Sequence, residues 1–207
     1  MAKRRRTTSD RQLDLLREAA ASCTNCHLYR RATQTVFGAG PAPATLMFVG
    51  EQPGDSEDKA GEPFVGAAGR VLREALEEAG IDPAGVYITN AVKHFKWRPQ
   101  GKRRIHERPN HEEILACRMW LEGEIKHVRP KAIVALGATA AGVIAGPSVK
   151  VTRDRARPVT SALAPYVTVT VHPSSILRVP DDQARRAARR AFVSDLKKIV
   201  KAISKLE

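Results

Sequence analysis

Aromatic side chains are scarce, 5% of 207 residues, and there are only three cysteines. With so few rings, any aromatic set among turn residues is worth reading as a contact. An odd thiol count argues against a secreted disulfide framework and turns attention to a metal or cluster. No apolar run approaches the ~20 residues of a membrane span. The start, Met1-Ala2-Lys3-Arg4-Arg5-Arg6, leads into polar sequence instead of the apolar core of a secretion signal. The expectation is a soluble intracellular protein with no membrane partner. Acidic residues also fall short. Asp and Glu total 22 against 35 Lys and Arg, a formal net charge of +13 with a pI near 10.2. That excess favours a polyanionic partner, nucleic acid first.

What is present is enough for one core. Apolar residues make up 43% of the chain, so the expected organisation is a basic disordered tail over residues 1–8 and a single domain over 9–207. Ser9 or Asp10 is placed to cap a helix through Ala20. Short apolar runs at Thr45–Gly50, Val86–Asn90, Ile133–Gly137 and Tyr166–Val171 read as strands. Helical patterns follow at Ala67–Ala79, Glu112–Val128 (capped near Asn110), Ala138–Ala145 and from Asp181 onward. Loops are expected over 51–66 and 91–110, and turns with edge strands over 146–165. Near-continuous apolar strands alternating with helices predict an α/β fold with a parallel sheet covered on both faces. In such a sheet ligands bind at the carboxyl ends of the strands, which selects 51–66, 90–110 and 172–178. The glycine cluster Gly38-Ala39-Gly40-Pro41 precedes the first strand, so a dinucleotide fingerprint fails on position.

Each selected segment has a functional and a structural reading. Glu51, Asp55, Glu57 and Asp58 at a strand end can position water, a histidine or a developing cation, or can decorate a solvated loop. Phe64, between turn residues, is a core plug or a stacking platform for a base. Asn90 is a turn former, or an amide that donates and accepts as a uracil edge requires. His172-Pro173-Ser174-Ser175 is a capped loop, or a histidine donor with hydroxyls for backbone or phosphate. Arg98, Lys102, Arg103, Arg104 and Arg108 crowd about His106; such a run is a solvated or phosphate-contacting surface.

Taken together and in order, Gly50-Glu51-Gln52-Pro53-Gly54 with Asp58, Pro63-Phe64-Val65-Gly66, Thr89-Asn90-Ala91-Val92-Lys93 and His172-Pro173-Ser174-Ser175 resemble the successive motifs of the family 4 uracil-DNA glycosylases. The likeness covers roughly residues 20 to 200. Two departures, Gln52 in place of alanine and the inserted Lys102-Arg103-Arg104-Ile105-His106, are similar to the UdgX branch, whose members bind uracil-DNA covalently through the histidine of the insertion. The resemblance implies a three-layer α/β/α fold with a central, mainly parallel four-stranded sheet. It implies excision of uracil and single-turnover capture of the abasic sugar by His106, with Glu51, Gln52, Asp55 and His172 as catalytic partners. Phe64, Asn90, His172 and Gly50 would bind uracil, and Lys102, Arg103, Arg104, Ser174 and Ser175 would bind DNA. Cys23, Cys26, Cys117 and His94 would hold a 4Fe-4S cluster, with zinc as the chemical alternative for a Cys3His set. The implied partner is uracil-containing DNA, single strands preferred, taken by a monomer in the cytoplasm, on the nucleoid when bound. The alternatives are a conventional multiple-turnover family 4 enzyme and a noncatalytic DNA-binding module.

Overall fold

The computed structural model describes residues 7–205. Its centre is a four-stranded parallel sheet in the order β2-β1-β5-β6, built from β1 (Leu46–Gly50), β2 (Tyr87–Asn90), β5 (Ala132–Leu136) and β6 (Tyr166–Thr170). The helices are α1 (Thr8–Ala21), α2 (Asp55–Ala60), α3 (Ala67–Glu78), α4 (His111–Val128), α5 (Ala138–Ala145), α6 (Val151–Asp154), α7 (Pro173–Leu177) and α8 (Asp182–Ile203). A separate antiparallel hairpin pairs β3 (Trp97–Gln100) with β4 (Arg103–His106).

Successive strand side chains point to opposite faces, and the two cores sort accordingly. Met47, Val49, Ile133, Ala135, Val167 and Val169 pack with Leu13 of α1, Cys117, Leu121 and Ile125 of α4, and Ile144 of α5. Leu46, Phe48, Ala132, Val134 and Leu136 pack with Leu72 and Leu76 of α3 and Phe192, Leu196 and Ile199 of α8. The expected three-layer α/β/α architecture is therefore present. Among the described residues no helix is long and apolar enough to cross a membrane.

The differences from expectation lie at helix ends and in loops. Helix α1 opens at Thr8, capped by Thr7, whose hydroxyl accepts from Asp10 N while Asp10 accepts from Thr7 N. The cap therefore sits two residues before Ser9 and three before Asp10, the expected caps; residues 1–6 of the expected tail lie outside the described residues. The loop 51–66 contains α2, and 91–110 contains the hairpin. The segment 146–165 contributes α6 and isolated bridges at Arg155 and Pro158 instead of edge strands. Helix α4 begins at His111 behind the Asn110 cap, as the sequence indicates.

Candidate active site

The parallel register brings Gly50 directly opposite Asn90 at the carboxyl ends of β1 and β2. A side chain at position 50 would place its Cβ 2.3 Å from Asn90 Oδ1 and 2.7 Å from Phe64 Cζ. Glycine is thus what allows the asparagine and the ring to close on one another. Asn90 is only 2% exposed, and its Oδ1 has no hydrogen-bond partner. Its backbone is held from behind, where Lys93 Nζ donates to Asn90 O at 2.7 Å and to Glu124 Oε2 at 2.6 Å. Glu124, fully buried, also accepts from Gly38 N, Tyr87 and Thr89. Phe64 sits at φ 56°, a left-handed conformation that costs a bulky residue about 1–3 kcal/mol and persists only where neighbours dictate it. Arg73 donates to its carbonyl at 2.9 Å, and a Cβ on Gly69 would overlap that carbonyl at 1.6 Å. So braced, the Phe64 ring lies 5.7 Å from that of His172.

His172 caps α7 and follows β6. Its Nδ1 accepts from the backbone N–H of Ser174 at 3.2 Å and contacts Ser174 Oγ at 2.8 Å. Arg178 NH1 in turn donates to that hydroxyl at 3.1 Å. With Nδ1 accepting, the proton of the neutral ring sits on Nε2, so His172 is a donor at that atom. Burial, with Arg178 and His106 adding to it, pulls its pKa down to about 4. The ring is therefore neutral at physiological pH.

A cleft of about 740 Å³ opens over these groups, and Glu51, Gln52, Phe64, Asn90, His106, Arg108, His172, Ser174, Ser175 and Arg178 line it. His106, at the end of β4, places Nε2 3.5 Å from Glu51 Oε1 and its ring 6.1 Å from Phe95. Burial lowers its pKa, Glu51 opposes that shift, and Arg178 and Arg108 reinforce it. The hairpin carrying His106 turns through Gly101 at φ 57°, a conformation glycine adopts freely. Gln52 fastens its base: Nε2 donates to Lys96 O and Glu107 O at 3.1 and 3.0 Å, and Oε1 accepts from Lys96 N at 3.2 Å. Arg104 fastens its middle, with Nε 2.5 Å from Asp55 Oδ1 and NH1 2.6 Å from Asp58 Oδ2. The guanidinium lies 5.4 Å from the rings of both Phe95 and Trp97.

The expected site residues thus divide. Glu51, Gln52, Phe64, Asn90, His106, His172, Ser174 and Ser175 converge, while Gly50 acts by making room. Asp55 is turned to Lys59 and Arg104; the Lys59 hydrogen bond, with Arg104 adding to it, holds its carboxyl below the usual range, and it does not line the cleft. Arg104, placed by the sequence among the phosphate contacts, is engaged with Asp55 and Asp58. Lys102 and Arg103 are exposed at the hairpin tip, away from the cleft. Ser175 Oγ donates to His172 O at 2.7 Å, so both serines support the histidine. Arg178 escaped the sequence reading; its only signal was the four-residue helical spacing from Ser174. Glu57, read only as part of an acidic cluster, joins Gly54 N and Gly66 N at 3.0 and 2.6 Å and so closes the loop beneath Phe64.

The cysteines belong to the other core from Phe64. Cys23 and Cys117 are buried in one core with Cys26 packed against it, and burial pushes the Cys117 thiol up to about 11, with Cys26 and Cys23 adding to the shift. Two sulfurs already accept N–H donors: Cys117 Sγ from Lys93 N and Cys23 Sγ from Trp120 Nε1, each at 3.2 Å. His94, next to Lys93, is 4% exposed, and its Nδ1 has no partner while Nε2 contacts Thr35 Oγ1 at 3.0 Å. Among the described residues no group of three or more His, Cys, Asp or Glu side chains is closed into a metal-holding arrangement. The donor set itself fits a thiolate-bound group: soft sulfurs, N–H donors to them, and an unpaired ring nitrogen.

Comparison with known proteins adds an independent line. Residues 37–197 match the model of the uracil DNA glycosylase superfamily. The chain is 39% identical over 180 residues to a type-4 uracil-DNA glycosylase of Thermotoga maritima, covering 86% of this chain and 90% of that one. It is 36% identical to the type-4 enzyme of Pyrobaculum aerophilum, over 89% of this chain and 91% of the relative. It is also 43% identical to that of Sulfurisphaera tokodaii, over 60% of this chain and 54% of the relative.

Proposed function

The chain belongs to the uracil DNA glycosylase superfamily, on its type-4 side, and from that premise we propose that it excises uracil from DNA in the cleft that Phe64 lines. The glycosidic bond is inaccessible within stacked DNA, so the nucleotide is extruded into the cleft. The observation that carries the reading is the buried, unpartnered Oδ1 of Asn90. It offers an acceptor to uracil N3–H; cytosine presents a lone pair at N3 and would leave that oxygen opposed. Phe64 stacks on the base. As the bond from the sugar to N1 breaks, the electron pair goes to the base, and the Nε2–H of His172 donates to the O2 that gains charge. A neutral donor on a preorganised backbone is suited to that task. The test is release of free uracil from uracil-containing oligonucleotides, with cytosine- and thymine-containing strands left intact.

Two fates follow for the sugar cation. Attack by water gives ordinary turnover, and the type-4 relatives support this reading better. The second fate is favoured by one specific observation, the anchored His106 facing Glu51 across the cleft. There a ring nitrogen with a free lone pair bonds to the sugar carbon, and the proton on the other nitrogen passes to Glu51. The product is a protein–DNA adduct with the base expelled. A complex surviving SDS and heat, with the mass of protein plus DNA minus uracil, distinguishes this fate; release of abasic DNA with repeated turnover supports the first.

Cys23, Cys26, Cys117 and His94 are read as ligands of a 4Fe-4S cluster that supplies a structural cross-link, zinc being the alternative occupant. The substrate is taken as single-stranded uracil-DNA and the working form as a monomer. Rates on single- and double-stranded oligonucleotides and light scattering test these two points.

A further inference from the structure

The two oxygens of Glu51 have different neighbours. Oε1 faces His106 Nε2 at 3.5 Å, while Oε2 accepts a hydrogen bond from the hydroxyl of Thr139. Arg108 Nε also stands 3.7 Å from Oε2, but its side chain is 74% exposed and gives no fixed direction. Thr139 is placed firmly. It is the second residue of α5, reached from β5 through Gly137 at φ 89°. A Cβ on Gly137 would come within 3.0 Å of His172 Cβ, so the same turn abuts His172.

A glutamate has three rotatable bonds, and a free carboxylate presents either oxygen in many directions. Tying one oxygen to a hydroxyl on a helix fixes the other. Small errors in the direction of such a group are expensive for a reaction between held partners. We propose that Thr139 is a positioning residue: by holding Oε2 it aims Oε1 of Glu51 at His106. This rests on the proposed reading of Glu51 as the group facing His106 that takes the proton from its ring.

The test is a mutant cycle under single-turnover conditions with saturating single-stranded uracil oligonucleotide. Wild type, Thr139→Val, Thr139→Ser, Glu51→Gln and the Thr139→Val/Glu51→Gln double variant are compared, and each quenched sample is assayed for both free uracil and SDS-resistant adduct. Thr139→Val is expected to slow adduct formation by on the order of tenfold with DNA affinity unchanged, and Thr139→Ser, which keeps the hydroxyl, to restore the rate. On the Glu51→Gln background Thr139→Val should add nothing, since the threonine acts through the glutamate. A Thr139→Val variant reacting at the wild-type rate, or losses that multiply in the double variant, overturns the proposal. If Thr139→Val does not fold, Thr139→Ala and Thr139→Ser decide: a serine variant as slow as the alanine variant overturns it, and a serine variant at wild-type rate with a slow alanine variant supports it. If wild type releases uracil with no adduct, covalent capture has failed. The same cycle on uracil release then judges Thr139, with non-multiplying losses in support and absent or multiplying losses against.

Discussion

At the residue scale, the cleft depends on a few side chains held in states they would not adopt alone. Asn90 keeps a buried oxygen without a partner, which costs stability and is offset only when a ligand donates to it. Asn90→Asp should therefore reduce uracil release by at least ~10²-fold or move acceptance toward cytosine; equal release of uracil by the variant and the wild type would remove the assigned role. Phe64→Ala should weaken stacking by about 1–3 kcal/mol, read as substrate affinity, and it leaves the left-handed backbone strained, because alanine keeps the Cβ that makes φ 56° costly. His172 carries a pH signature. Its pKa is about 4 in the fold against 6.5 ordinarily, so above pH 6.5 the ring is neutral in both folded and unfolded chains. Between pH 6.5 and about 4 the unfolded chain binds a proton that the fold refuses, and stability falls as the pH drops. Denaturant melts across this window should show the decline, and His172→Asn should flatten part of it.

At the scale of elements, the strands and long helices were legible because their apolar periods are strong, whereas α2, α7 and the hairpin were not. Helix α2 has five polar or charged residues among its six and is defined by its ends: Glu57 receives Gly54 N, and Gly61 takes the left-handed C-cap. The hairpin was hidden because its strands carry Arg, Gln, Pro and Lys-flanked turns with little alternation. It is held by tertiary anchors, Gln52 at its base and Arg104 in its middle, and partners so distant in sequence leave no local pattern. For the same reason the basic run looked like a uniform phosphate surface, and Arg104 could not be told apart from Lys102 and Arg103. The convergence of Glu51, Phe64, Asn90 and His172 was legible, since each ends or follows a strand of one parallel sheet. The hairpin makes an element-level prediction. Gln52→Ala and Arg104→Ala both loosen the support of His106 and leave Phe64, Asn90 and His172 in place. Adduct formation should fall by about tenfold or more while uracil release continues; parallel loss of both activities would mean that the hairpin shapes the base pocket itself.

At the scale of the molecule, one sheet separates two cores, and the cleft and Cys117 meet at the end of β2. Lys93 is the shared piece: its backbone N–H reaches Cys117 Sγ and its ammonium reaches the carbonyl of Asn90. Cys23 and Cys26 follow α1, Cys117 lies within α4, and His94 follows β2. A group ligated by all four would tie three segments that are remote in the chain and close the loops between them. Such cross-links act largely by restricting the unfolded chain. The protein should therefore purify brown, with iron and acid-labile sulfide. Cys117→Ala should lose the colour and roughly 2–5 kcal/mol of stability, the scale of other lost cross-links. If the cross-link is structural, the variant's residual folded fraction should still select uracil over cytosine, because Asn90 and Phe64 are held by Lys93, Arg73 and the glycines and not by the metal. Anaerobically purified wild type with stoichiometric zinc and no iron would replace the cluster by zinc while keeping the cross-link. Wild type with neither metal, and as stable as Cys117→Ala, would remove the cross-link altogether and leave the N–H donors to the two sulfurs as packing of ordinary buried thiols.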